Sequence, residues 1–315
     1  MLTQIIATKS LDQFRRRVEL AVEQVYRVRI DELQANHLDI RDLLRHALLH
    51  VPKLTSVERR RSSVLRSEID RLAGMLLADR LLIPRSLFDL SAATVPLDDL
   101  DLAPVSAELT VALLSRFHYL RHPRDYVQSV GLFPSNGHPN AIAALFTVSR
   151  MDLDHVMRLL PSGIDASQVQ VLSRVYASPF APRNTVSYGL GLLVARLRTE
   201  SPHVRALITY INPNLGFDGA SLRASNWRLL CRETRRCYYY LDGNYITERE
   251  CVKSFGTDDF TALKMRLSVH ITRSRMRLEP LQIYVHFFRK RDKFKTLDFP
   301  DRTIEPEPVN RCSSS

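Results

Sequence analysis

Apolar residues recur every three to four positions through the first eighty residues of the chain. Leu11, Phe14, Val18, Ala21, Val22 and Val25 fall on one helical face, with Ser10 as candidate N-cap. "DIRDLLRHALLHV" reads as a second helix and "SVERRRSSVLRSEIDRLAGMLLADRLLI" as a third. In the third, Val64, Ile69, Leu72 and Leu76 make the apolar stripe and arginines cover the outer face. This pattern predicts a small helical domain over residues 1–84. Proline and aspartate then dominate "IPRSLFDLSAATVPLDDLDLAPVS". Proline fixes φ and removes a donor, so residues 85–106 read as an extended linker.

Beyond the linker the pattern changes to short β-branched runs alternating with helical ones. "AIAALFTV", "QVQVLSRVYA", "VRALITYI" and "LQIYVHFF" predict strands, and "WRLLCRETRRCYYYLDG" one or two more. "NTVSYGLGLLVARLRTE" predicts a helix capped by Asn184, "DGASLRASN" a short helix, and "TDDFTALKMRL" a helix opened by Thr257 and two aspartates. The result is an α+β domain over residues 107–292, followed by a disordered tail at 293–315. The helix start at 184–187 directly follows a strand. Unpaired N–H groups and the positive end of the helix dipole there suit an anion.

Charge sharpens this picture. The chain has 315 residues and a net charge of +11, with arginine in excess over lysine, a balance that suits a polyanionic partner once another feature agrees. No apolar run approaches the roughly 20 residues of a membrane span, and the N-terminus lacks the order of a secretion signal, so no membrane association and a cytoplasmic location are expected. The four cysteines, Cys231, Cys237, Cys251 and Cys312, show no CxxC pairing and read as reduced. Asp42, His46 and His50 share a helical face at i, i+4, i+8, a geometry able to hold a metal, but no HExxH glutamate accompanies them. A solvated face is the default reading, and no metal site is assigned.

Three segments then carry a resemblance: "LSRVYASPFAPRNTVSYGL", "LITYINPNLGFDGASLRASNW" and "PLQIYVHFFRKR". In this order they resemble the Mom family of phage DNA-modification proteins, over roughly residues 110–291. That resemblance implies a GNAT-like acyltransferase fold with a mixed central sheet. It also implies transfer of a carbamoylmethyl or acyl-type group to the exocyclic amine of adenine in double-stranded DNA, which protects the DNA from restriction. It implies an acetyl-CoA or related acyl-CoA donor; iron has no support in the residues, and homodimerisation is left open.

Matched position by position, the resemblance implies catalytic roles for His118 and Tyr119 in "FHYL", Arg174, Ser187, Tyr210, Asn212 and Asp218. Arg183, Asn184, Thr185 and Ser187 would hold the cofactor. Arg121, Arg124, Arg232, Arg235, Arg236, Arg273 and Arg275 are the DNA-binding candidates. His118 would suit a general base, against the alternative of a solvent-facing residue at a helix end. Trp227 reads as core beneath the cofactor helix. Two positions depart from the pattern: Asn212 stands where these proteins have aspartate, and Leu222 where they have tyrosine. Either the group transferred differs, or Asp218 and Tyr210 take over, or the acceptor is another amine, or the scaffold is a catalytically degenerate DNA-binding or regulatory protein.

Overall fold

The computed structural model describes residues 2–54, 56–81, 87–121, 125–135, 137, 140–151, 154–234, 237–275, 278–290, 292 and 303–304. The N-terminal part is a bundle of α1 (Leu2–Val28), α2 (Ile30–Ala35), α3 (Ile40–His50), α4 (Ser56–Arg60) and α5 (Ser62–Leu81). Asp39 starts α3 with a reciprocal cap: its carboxylate accepts from Asp42 N, and the Asp42 carboxylate accepts from Asp39 N. Val18, Leu33, Leu43, Ile69 and Leu72 are fully buried in one cluster. At about 1.5–3 kcal/mol each, these side chains outweigh the bundle's surface ion pairs, worth about 1 kcal/mol or less. Two expectations are corrected. The first helix starts at Leu2, so Ser10 lies inside it rather than at its start, and the third breaks at Arg61, whose N–H turns back to Glu58 O.

The remaining strands are β1 (Leu100–Pro104), β2 (Gln128–Pro134), β3 (Ala144–Arg150), β4 (Val169–Ala177), β5 (Ala206–Ile211), β6 (Arg228–Glu233), β7 (Tyr239–Leu241), β8 (Asn244–Ile246), β9 (Ile271–Arg273), β10 (Leu281–Phe287) and β11 (Thr303–Ile304). Between them run α6 (Ala107–Phe117), α7 (Asp154–Met157), α8 (Thr185–Glu200), α9 (Ala220–Ala224), α10 (Glu248–Phe255) and α11 (Phe260–Leu267). The main sheet has the order β1-β2-β3-β4-β5-β10-β6-β11, and β8-β7-β9 form a small second one. The α+β class with a mixed central sheet, preceded by a helical bundle, is what the sequence pattern and the resemblance suggested. Part of the stretch read as linker is in fact β1, an edge strand ending in Pro104, where a missing donor is tolerated. Within the tail expected to be disordered, Thr303 and Ile304 pair with Arg232 and Glu233; the rest of that tail lies outside the described residues.

The β4–β5 pair positions the site. These parallel strands pair only from Val169–Ala206 to Val171–Ile208, then separate. Against β3 the register slips, so that Thr147 faces Arg174 and Val148 faces Leu172. Ser173 is the extra residue, and a bulge of this kind bends the strand. Helix α8 covers one face, where Leu190, Leu193 and Leu197 join Phe146, Leu207 and Trp227. It sits close because residue 189 is glycine: a Cβ there would lie 2.5 Å from the Phe146 ring. Helix α6 covers the opposite face through Leu113, Leu114 and Phe117 with Tyr176.

The bundle is joined to this domain along a polar and apolar seam. Tyr240 donates to Leu49 O at 2.8 Å, Lys53 to Gly243 O at 3.0 Å and Arg275 N to Pro52 O at 3.0 Å. Leu215, Tyr238, Tyr240 and Leu278 belong to the bundle's own core cluster.

Candidate functional site

Helix α6 starts at Ser106, whose hydroxyl accepts from Leu109 N, and it ends at Phe117, leaving His118 extended as its C-cap. His118 is buried, so the solvent-facing alternative is set aside. Leu120 N donates to His118 Nδ1 at 3.2 Å. Burial, with the Arg174 and Arg45 guanidiniums nearby, holds the ring's pKa well below the usual histidine value, so it is neutral. A neutral ring accepting at Nδ1 carries its proton on Nε2. In this geometry His118 accepts at Nδ1 and presents a hydrogen-bond donor at Nε2.

Tyr119 stacks beside it, with ring centroids 4.4 Å apart, and Phe217 stands 5.4 Å from Tyr119. Arg45 of α3 lies 5.0 Å over the Phe217 ring. A cavity of about 20 Å³ separates α3 from the end of α6, lined by Asp42, Arg45 and His46 on one side and Arg116, His118, Tyr119 and Arg121 on the other. It has room for about one water. The helical bundle is therefore one wall of the site, and Arg121, read as a DNA contact, sits in this seam. Of the helical trio considered for a metal, His46 and His50 are buried rather than solvated, and both are held neutral chiefly by that burial, His50 with a pKa of about 3. Among the described residues no group of three or more His, Cys, Asp or Glu is arranged for a metal ion.

The stretch after β5 is a hydrogen-bonded turn. Asn212 Oδ1 accepts from Asn214 N at 3.2 Å and from Asn214 Nδ2 at 3.0 Å, while Asn212 Nδ2 donates to the Tyr238 hydroxyl at 2.8 Å. Asn214 is tied in turn to Glu279, through Glu279 N to Oδ1 at 2.8 Å and Nδ2 to Glu279 O at 3.0 Å. Leu222 is buried in the core under α8 with Trp227, as expected for the tryptophan. Tyr210 packs on the cluster of Ile208 and Ile283, on the face of β5 away from α8. Asp218 is placed apart: its side chain is 76% exposed, and it accepts from Ala220 N and lines a separate cavity of about 590 Å³ with Arg223, Arg232 and Tyr284. Gly219 beside it has φ +73°, and a Cβ there would meet the Tyr284 hydroxyl at 2.7 Å.

At the start of α8, Asn184 is left-handed (φ 70°) and its side chain makes no cap bond. The first intrahelical bond is Tyr188 N to Asn184 O at 2.9 Å. The N–H groups of Val186 and Ser187 therefore have no partner within the helix. Thr185 and Ser187 use their hydroxyls locally, donating to Pro182 O at 2.6 Å and Asn184 O at 2.9 Å; Arg183 is exposed. His37 of the bundle stands 5.8 Å from Phe180 in the loop leading to this helix.

The DNA-binding candidates lie on different elements. Arg232 is half-buried on β6, and Arg273 lies over the Phe260 ring at 4.8 Å on β9, with Arg275 exposed just after it. Arg124, Arg235 and Arg236 lie outside the described residues. Burial pushes the Cys231 and Cys251 thiols up to about 12, in keeping with unreactive, reduced cysteines. No described helix is long and apolar enough to cross a membrane.

Sequence reasoning missed Arg45 and Phe217, and read His46 only as one member of a possible metal trio. The periodicity of α3 marks its inward face and not what Arg45 meets there, and Phe217, in the loop before α9, has no periodic signal at all.

Solved structures similar to the chain include Arabidopsis thaliana NAA60 in complex with acetyl-CoA, at 11% identity over 60% of this chain and 99% of that one, with a TM-score of 0.34. Spermidine N-acetyltransferase from Vibrio cholerae, in complex with CoA and spermine, is similar at 4% identity over 60% and 96%, TM-score 0.34. An N-acetyltransferase from Staphylococcus aureus Mu50 is similar at 5% identity over 60% and 97%, TM-score 0.32. These likenesses are too loose to add to the topology. No curated protein matches the chain. The model of the Mom protein family matches residues 99–304, from the start of the sheet to its last strand, and by that match the chain belongs to the Mom protein family.

Proposed function

We propose that the protein is an acyl-CoA-dependent transferase that modifies the exocyclic amine of adenine in double-stranded DNA. The observation that carries this reading is the family match over the whole sheet domain. The geometry fits it. Strands β4 and β5 part beside a helix whose first N–H groups are open to an anion, so Val186, Ser187 and Arg183 are the groups to hold the donor's phosphates. The donor supplies the activated acyl group. On the α6 side, His118 offers an Nε2–H donor and half-buried Tyr119 a hydroxyl to an extruded base, for which the present cavity of about 20 Å³ would have to open. Arg174 keeps positive charge next to His118.

The test is nucleoside analysis by mass spectrometry of plasmid DNA from cells making the protein, with an Asn212→Asp variant alongside. A mass-shifted deoxyadenosine is expected with the native protein. Only standard nucleosides from both, with folded protein present, would overturn the reading.

One observation favours a second reading, a degenerate scaffold that binds DNA without transfer. Asn212 is committed to the turn network and Leu222 to the core, so neither side chain reaches a substrate as it stands. Under this reading acetyl-CoA leaves the melting temperature unchanged, whereas a ligand bound by the native state alone raises it.

A further inference from the structure

The helical bundle carries two runs of three arginines, residues 15–17 on α1 and 59–61 at the junction of α4 and α5, which the transferase reading does not use. They lie more than forty residues apart in sequence, and the fold packs the second run against α1 beside the first. Arg17 Nη2 donates to Arg60 O at 2.9 Å, and the Arg59 guanidinium stands 5.7 Å over the Phe14 ring of α1. Arg16, Arg60 and Arg61 are exposed. Among the described residues no ion pair involves Arg15, Arg16, Arg17, Arg60 or Arg61, although the same bundle pairs Arg29 with Asp70 and Arg71 with Glu68. Like charges gathered at this density repel one another and lower stability, so Arg16, Arg60 and Arg61 are poorly accounted for as a packing device. It also adjoins the site: Arg15 donates to the carbonyl of Pro213, in the turn that follows Asn212.

We propose that this arginine patch is the surface on which the phosphate backbone of duplex DNA rests beside the modified base. The inference depends on the DNA substrate of the proposed function, and it concerns residues outside the segment that matches the family model. Guanidinium forks match phosphate oxygens, while the exposed serines at 62 and 63 add hydroxyl donors at the same edge. The bundle would then hold the duplex while the sheet domain holds the base.

The experiment uses the full chain and a labelled DNA duplex, with fluorescence anisotropy across a salt series. The wild type is compared with the triple variant R16Q/R60Q/R61Q, whose three positions are exposed and therefore dispensable for folding. Loss of three phosphate contacts is expected to make the slope of log K against log salt less negative by about 2.7. Affinity at low salt falls at least about tenfold, and the melting temperature does not drop, since repulsion has been removed. Unchanged duplex affinity and slope overturn the proposal, as does a larger loss for single-stranded RNA or for phosphatidylserine vesicles than for the duplex. Modified adenine together with an unchanged slope sinks this proposal and leaves the transferase intact. A patch-dependent slope without any modified nucleoside does the reverse.

Discussion

Replacing Asn212 separates the structural from the chemical demands on this position. Asn212→Ala removes the acceptor for Asn214 N–H and the donor to the Tyr238 hydroxyl, both among buried groups. Asn214 Nδ2 keeps its bond to Glu279 O, so the loss falls on two groups rather than three. At about 1–3 kcal/mol for each buried polar group stripped of a partner, the expected cost is about 2–6 kcal/mol. Asn212→Asp is different. A carboxylate accepts from Asn214 N–H and Nδ2 as the amide does, and the Tyr238 hydroxyl, an acceptor now, turns to donate. All three contacts survive, and the charge-assisted gain offsets much of the desolvation, so a change within about 1 kcal/mol is expected. Urea unfolding measures both, with the emission of Trp227, the chain's only tryptophan, and far-UV circular dichroism as probes. If Asn212→Ala stays within about 0.5 kcal/mol of the native protein, or Asp proves worse than Ala, the network described above is wrong.

Acid should destabilise the protein through its buried histidines. His46, His50 and His118 have folded pKa values below that of the free side chain, so below about pH 6.5 the unfolded chain binds protons that the folded one refuses. Stability is thus unaffected by these groups above that pH and falls beneath it by about 1.4 kcal/mol per pH unit for each, down to about pH 3 for His50. Urea midpoints measured from pH 7.5 to 5 check the slope, and a His46→Phe variant that keeps the full slope would count against it. Gly189→Val should cost more than about 3 kcal/mol, since even a Cβ would sit 2.5 Å from the Phe146 ring, and thermal unfolding measures it. A Gly191→Ala control, at a site with nothing within 4 Å, should be neutral or stabilising.

The long amphipathic segments were legible because their periodicity and their burial have the same cause. The apolar spacing from Leu11 to Val25 marks α1, and "QVQVLSRVYA" marks β4 within a residue or two. What failed was local. Leu100–Pro104 lies in a proline- and aspartate-rich stretch, and only pairing with β2 makes it a strand. Helix α10 was announced by Thr247 and Glu250, a reciprocal cap in the chain, but its polar surface hid it among loops. For the candidate site, His118, Tyr119, Arg174 and Asn212 were named through the resemblance, whereas Arg45 and Phe217 were not. The contact between Arg45 and Phe217 joins residues more than 170 positions apart, and the tautomer of His118 depends on one backbone N–H; neither leaves a periodic trace.

The seam between bundle and sheet also bears on how the chain is made. Leu33, Leu43 and Leu72 leave the ribosome early, yet their cluster includes Tyr238, Tyr240 and Leu278, synthesised about two hundred residues later. At usual elongation rates that interval is roughly 10–40 s. Throughout it the nascent bundle presents an open apolar flank that only the distant end of the same polypeptide can cover. Folding of the first eighty residues is therefore tied to completion of the last hundred, and a truncated or stalled product would expose the surface that chaperones hold.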